Sequence, residues 1–304
     1  MHAIKVLLDR GYSVVTTVRN QAKADIISEA FPKHSADKLS FVFVPDVGRP
    51  GAFDEAADLI DPAVVGTTKI LQAIKAGSPL VNRVVITGSF VSMLDMSKGL
   101  WCGHTYEEAD WNPITVEQAL GSPAGGYAAR KTFAEKAAWD FLSDKSPGFT
   151  MSIILPPLVF GLVLQRLNSL DFLSESNQVI RSFINGSMEK LIPTIEYPIF
   201  ADVRDVALCH VRAMEEPEAG NKRFFVASGH YSNRDIIEII RKRSTKHRHD
   251  LPSEHLSGGD MPNAVFAINT QCSVDILGTK CRTLEECIAD AIESFVAVES
   301  RDTY

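Results

Sequence analysis

The sequence lacks the features that mark several common functions. Its 304 residues carry a net charge of −7. A phosphate backbone needs a basic face, so nucleic acid is not expected as a partner. The single basic run, Arg241 to His249, follows an amphipathic stretch, Asn233 to Ile240, and reads as the solvated end of a helix. Of the five cysteines none forms a CxxC pair, and no histidine cluster has metal-ligand spacing. Reduced thiols in a cytoplasmic protein are the simplest account. The longest apolar stretch, Met151 to Leu164, is broken by Pro156 and Pro157 and is too short to span a bilayer. Asp9 and Arg10 stand where a signal peptide needs an apolar run. No repeat or low-complexity segment occurs. The composition, 45% hydrophobic and 23% charged, suits one globular domain with a subordinate lobe, or two small domains.

Residues 3–10 read as a short helix stopped by Gly11, and Ser13 to Val18 as a β-branched strand. Ala22 to Ala30 is helical, and Leu39 to Val44 is a second strand closed by Pro45-Asp46. Ala52 to Ile60 reads as a helix, and Asp61-Pro62 as the N-cap and first turn of another, reaching about Ala76. Val81 to Thr87 is a buried-type strand, Tyr127 to Leu142 a long helix, and Thr150 to Leu155 another apolar strand. Strands alternating with helices predict an α/β fold with a doubly wound parallel sheet. The alternation fails twice. The chain opens on a helix, and the helix ending at Ile60 runs into the next with no strand between. Each such helix crosses over between two parallel strands, so two strands are missing, by count the first and the fourth. In the order 3-2-1-4-5-6 these are neighbours at the sheet centre. Their loss leaves a gap of roughly 10 Å unless the flanking strands close up. An incomplete gene model is the favoured explanation.

Tyr127 and Lys131 stand four apart on a predicted helix and so share a face. A lysine ammonium favours the phenolate of a nearby tyrosine, and the pair can protonate a carbonyl oxygen as hydride reaches its carbon. On its own that spacing arises too often by chance to mean much. The strand 81–87 adds to it. It ends in Thr87-Gly88-Ser89, and the carboxyl edge of a doubly wound sheet is where ligands bind. A serine hydroxyl there can bond the same substrate oxygen, although turns and helix caps also use serine. Ser92 is a less well placed second choice.

Four ordered blocks, RVVITGSF, GYAARKTFAEKAAWDF, ILPPLVFG and FADVRDVALCH, resemble the dihydroflavonol 4-reductase-like branch of the extended short-chain dehydrogenase/reductases, which includes NADPH-dependent methylglyoxal reductases and many fungal ketoreductases. The resemblance runs from about residue 3 to the tail LGTKCRTLEECIADAIESF. It implies a Rossmann-like cofactor domain over 1–158 and a substrate lobe over 159–304, with 199–228 returning to the first. It implies Ser89, Tyr127 and Lys131 as catalytic residues and NADP as cofactor. Arg19 matches the residue that pairs with the 2′-phosphate, a contact suited to a guanidinium. Lys23, Asp46, Val47, Tyr127, Lys131, Pro156, Leu158, Val159 and Ser176 complete the implied cofactor contacts. Asp202, Arg204 and Asp205 fall in a block read as structural, an ion-pair network at the lobe junction.

The departures from that family concern the same site. Its opening strand and glycine-rich turn, whose backbone amides cradle the pyrophosphate, have no counterpart. Gly121, Gly125 and Gly126 precede Tyr127 in what reads as a loop and do not follow a strand. A strand that lines the cofactor pocket is absent between Ile60 and Asp61. Gly88 stands where serine is common, and Leu155 where asparagine is frequent. The expected function is NADP-dependent reduction of a small ketone or aldehyde, without measurable turnover until the missing segments are restored. The alternatives are an epimerase, dehydratase or hydroxysteroid dehydrogenase of the same family, or an inactive remnant that binds a ligand or partner. Met93, Trp101, Trp111, Phe160 and Phe172 fall in the regions expected to shape the substrate pocket. The oligomeric state, monomer or dimer, is left open.

Overall fold

The structure is a computed structural model that describes residues 1–44, 57–165, 167, 169–188 and 191–300. It opens with α1 (His2–Asp9), β1 (Val14–Val18), α2 (Gln21–Ala30), β2 (Leu39–Phe43), α3 (Ala57–Gly77) and β3 (Arg83–Thr87). There follow β4 (Thr105–Tyr106), α4 (Val116–Leu120), α5 (Pro123–Lys145), β5 (Thr150–Leu155), β6 (Leu158–Phe160) and α6 (Glu175–Ile184). The chain continues through β7 (Ile199–Asp202), α7 (Val203–Glu215), β8 (Lys222–Phe225), β9 (Gly229–His230) and α8 (Asn233–Arg243). It closes with β10 (Ala267–Ile268), α9 (Gln271–Leu277) and α10 (Leu284–Glu299).

Capping chemistry sets several starts. The Asn20 side chain accepts from Lys23 N–H at 3.1 Å and opens α2. The Ser122 hydroxyl accepts from Gly125 N–H at 3.0 Å, and Pro123 fills the first turn of α5. Gly125 and Gly126 therefore lie inside α5, not in the expected loop. A Cβ on Gly125 would come within 2.7 Å of the Gln118 carbonyl, so this glycine lets α4 pack closely on α5.

β1 pairs with β2 and β3–β5–β8 form a second sheet, all parallel. Among the described residues no strand precedes β1, none lies between β2 and β3, and β1 does not pair with β3. The consequence shows in burial. β5 is buried from Met151 to Leu155, whereas Val84, Val85 and Ile86 of β3 are only half-buried, β3 having one neighbouring strand among the described residues. α3 runs unbroken through Pro62, where a second helix was expected to begin. Proline removes one helical hydrogen bond, but here it does not end the helix. Residues 52–56 of the expected earlier helix lie outside the described residues.

The two sheets are joined through their helices. α1 packs on α7, where Arg10 pairs with Glu215 and the Tyr12 hydroxyl donates to Glu215 at 3.2 Å. On the other face α3 packs along α5. A separate core of Phe160, Ile180, Phe183, Ile236, Ile292 and Phe295 gathers β6, α6, α8 and α10. β6, β7 and β9 form a third sheet, and β4 pairs with β10. Arg204 at the start of α7 holds both Asp202, fully buried, and Asp290 of α10. Burial alone would raise the Asp202 carboxyl, but the Arg204 hydrogen bonds outweigh it and hold it below the usual carboxylate range. Asp205 accepts from Arg282 N–H at 2.7 Å and pairs with its guanidinium. These three residues are thus ion-paired between elements. The basic run at the end of α8 is solvated and paired, Arg243 with Glu285 and Lys246 with Glu299. The five cysteines are free thiols. No helix among the described residues is long and apolar enough to cross a membrane.

Candidate active site

α5 presents Tyr127 and Lys131 one turn apart, with Lys131 Nζ 5.9 Å from the centre of the Tyr127 ring. The next residues, Ala128 and Ala129, are buried and pin the other side of the helix. Tyr127 is 43% exposed. Both residues line a cavity of about 400 Å³ with Thr87 and Gly88 at the end of β3 and Ala63 and Thr67 of α3. Ser89 follows at once, at the cap of a short 3₁₀ turn that packs against α5. Its hydroxyl oxygen accepts from Val91 N–H at 3.4 Å, and its own proton has no acceptor among the described residues. Phe90 N–H donates to the Pro156 carbonyl at 2.9 Å, and the Asn112 side chain donates to the Val91 carbonyl at 2.8 Å. The turn is therefore anchored on both sides. Ser92 is fully buried, and its hydroxyl has no partner among the described residues. Ser92 is thus more deeply buried than Ser89, which retains 9% exposure.

The two local departures, Gly88 and Leu155, are one feature. A Cβ at Gly88 would stand 2.7 Å from Leu155 Cδ2 and 2.9 Å from Ile153 Cγ2. Leu155 and Ile153 are fully buried, and Gly88 N–H is fixed to the Ile154 carbonyl at 2.8 Å. The larger side chain at 155 occupies the space that any side chain at 88 would need.

A second cavity, of about 430 Å³, lies at the start of α1, lined by His2, Ala3, Val159, Gly161, Val206 and His210 among others. Thr87 borders both cavities. The α1 N-terminus has no side-chain cap, so its first-turn amides are uncommitted among the described residues. Val159 N–H is held by the Ser176 hydroxyl at 3.3 Å, Pro156 is buried, and Leu158 is partly exposed. Arg19 and Lys23 are exposed after β1, and neither forms an ion pair among the described residues. Asp46 and Val47 lie outside the described residues.

Sequence reasoning missed His210. Its Nε2 lies 2.7 Å from the Thr87 hydroxyl, a contact that joins β3 to α7, and its Nδ1 lies 2.7 Å from the Val206 carbonyl within α7. Burial lowers its pKa, and pushes that of His2 down to about 4. Glu135, one turn beyond Lys131, was also missed. It pairs with Arg223 at 2.7 Å in a nearly dry setting, and Arg223 stacks on Trp111, 3.8 Å from the ring centre. Trp111 is thus committed to Arg223. Met93 and Phe160 are core, and Phe172 is exposed.

No family model matches the chain. It is 34% identical to the ketoreductase azaE of Aspergillus niger, over 97% of this chain and 94% of that protein. That alignment runs over 321 residues, more than the 304 of the chain, so the relative has internal residues with no counterpart here. Among solved structures, the yeast methylglyoxal/isovaleraldehyde reductase Gre2 complexed with NADPH superposes with a TM-score of 0.87 at 30% identity, covering 99% of this chain and 96% of that one. Gre2 of Candida albicans in complex with NADPH gives 0.81 at 30% identity, covering 98% and 95%.

Proposed function

The chain belongs to the extended short-chain dehydrogenase/reductase family, in its dihydroflavonol 4-reductase-like branch, and from that premise we propose that it serves NADPH-dependent reduction of a small ketone or aldehyde in the cytoplasm. The observation that carries this reading is the shared cavity: Tyr127 and Lys131 on one face of α5 meet the end of β3, beside Ser89. The residues present fit a dinucleotide at both of its ends. Tyr127, Lys131, Pro156, Leu158, Val159 and Ser176 would hold the nicotinamide half, and Arg19 with Lys23 the 2′-phosphate. The uncommitted amides at the start of α1 face the requirements of a pyrophosphate. Two cavities of 400 and 430 Å³ that share Thr87 are each of ordinary ligand size.

When bound, NADPH would supply the hydride that the carbonyl carbon takes up. The protein's own task is the proton and the orientation. The Tyr127 hydroxyl gives its proton to the carbonyl oxygen. The Lys131 ammonium, on the same helix face, offsets the negative charge left on the phenolic oxygen. Ser89 donates its own proton to the same substrate oxygen and stabilises the charge that develops there. Among the described residues no strand precedes α1, and β3 has a neighbouring strand on one side. This favours a proton-transfer half carried by Ser89, Tyr127 and Lys131 together with a weak grip on the dinucleotide. Orientation of reacting groups supplies roughly 7–11 kcal/mol of barrier lowering, so weak grip limits turnover.

The test supplies the two family segments, the opening strand with its glycine turn and the strand after Ile60, from the yeast reductase. NADPH consumption is then followed against a panel of small carbonyl compounds. The completed chain is expected to reduce some of them, and the 304-residue chain not measurably. Robust turnover by the 304-residue chain, or none by the completed one, contradicts the proposal.

A further inference from the structure

Thr87 lines both cavities, and its hydroxyl meets His210, which lines the second. The polarity of that hydroxyl is fixed from behind. A carbonyl oxygen can only accept, so His210 Nδ1, 2.7 Å from the Val206 carbonyl, carries the ring proton. Burial disfavours the charged ring, so His210 is neutral and Nε2 presents a lone pair. Thr87 Oγ1, 2.7 Å from Nε2, must then donate its only proton to His210. What it offers to the cavities is lone pairs alone.

We propose that Thr87, held as an acceptor by His210, selects the chemical group beside it: a hydrogen-bond donor such as a sugar hydroxyl is taken, and an anionic phosphate oxygen is turned away. The inference rests on the dinucleotide reading and deepens it, since it places a ribose hydroxyl of NADPH against Thr87 and keeps the pyrophosphate toward α1. His210 does not touch the ligand. It is a positioning residue that acts through Thr87, and a purely structural role for the pair would leave ligand choice unchanged.

The experiment measures binding of NADPH and, separately, of inorganic pyrophosphate to the 304-residue protein, by saturation-transfer NMR titration into the millimolar range. Thr87→Val keeps the β-branched shape and removes the acceptor. It should weaken NADPH about five- to thirty-fold, the worth of one hydrogen bond with its donor left unpaired, without weakening pyrophosphate. Thr87→Ser should bind as the wild type. His210→Phe frees the Thr87 proton and should shift the ratio of the two affinities toward pyrophosphate. Ring-nitrogen shifts of His210 should report a neutral imidazole protonated on Nδ1, and protonation on Nε2 instead overturns the inference. Thr87→Val binding both ligands in the wild-type ratio overturns it alone, with the dinucleotide reading intact. A wild-type chain that takes up no NADPH overturns that reading and this inference with it.

Discussion

Replacing Gly88 by serine, the residue that the family resemblance implies there, should nevertheless destabilise the fold. The new Cβ would stand 2.7 Å from Leu155 Cδ2 and 2.9 Å from Ile153 Cγ2, both on fully buried side chains of β5. The backbone cannot retreat easily, because Gly88 N–H is bonded to the Ile154 carbonyl at 2.8 Å. Overpacking of this kind costs about 1–3 kcal/mol. At about 2–4 °C per kcal/mol for a chain of this order of size, the melting temperature should fall by roughly 2–12 °C. Leu155→Val removes the δ-carbons and so the closer clash. In the Leu155→Val background, Gly88→Ser should cost less by about 1 kcal/mol, a coupling within the range for residues in contact. Urea denaturation of the wild type, both single variants and the double variant measures the cycle. Additive effects, or a neutral Gly88→Ser in the wild-type background, would refute the claim that the two positions share one space.

Other perturbations should read out as follows. Arg223→Ala leaves Glu135 buried beside Lys131 without its cation and should cost about 3–5 kcal/mol, whereas Arg223→Ala with Glu135→Ala should recover much of that loss; equal destabilisation by single and double variants counts against the pair. Arg19→Ala should erase any preference for NADPH over NADH in calorimetric titrations, and an unchanged preference would remove Arg19 from the 2′-phosphate. His2 and His210 have folded pKa values below the ordinary 6.5, His2 at about 4. The unfolded chain therefore binds protons that the folded chain refuses, and stability should fall as pH drops from about 6.5 toward 4. At about 1.4 kcal/mol per unit the His2 share is up to roughly 3 kcal/mol, reduced by the part-exposure of its ring. Denaturation curves at pH 7, 5.5 and 4 test the fall, and His2→Gln should flatten it.

Periodicity made the main elements legible. The strands near 14, 39, 83 and 150 appear within a few residues of expectation, because β-branched runs between turn residues leave little choice. Local chemistry was less readable. Asp61-Pro62 has the form of a helix start, yet α3 passes straight through it, since packing along α5 outweighs one lost hydrogen bond. Gly125 and Gly126 looked like a loop because helix propensity disfavours glycine, but Ser122 and Pro123 open the helix before them and the close approach of α4 requires Gly125. At the site, Tyr127 and Lys131 were visible because helical spacing is local. Thr87 with His210, and Glu135 with Arg223, were not, since they meet only when β3, α5, α7 and β8 are stacked. The link between Gly88 and Leu155 needed the register of two strands.

The most direct test of the catalytic assignment is a single-turnover measurement on the chain supplied with the two segments of the yeast reductase, comparing Tyr127 with Tyr127→Phe. NADPH is bound in excess, a small carbonyl compound is mixed in, and oxidation of the cofactor is followed together with its binding affinity. Loss of the phenolic proton donor should lower the rate by about 10²–10⁴-fold, the usual worth of a positioned general acid, while NADPH affinity stays within a few-fold. An undiminished rate in Tyr127→Phe would contradict the account, because the proton would then reach the carbonyl oxygen from somewhere other than α5.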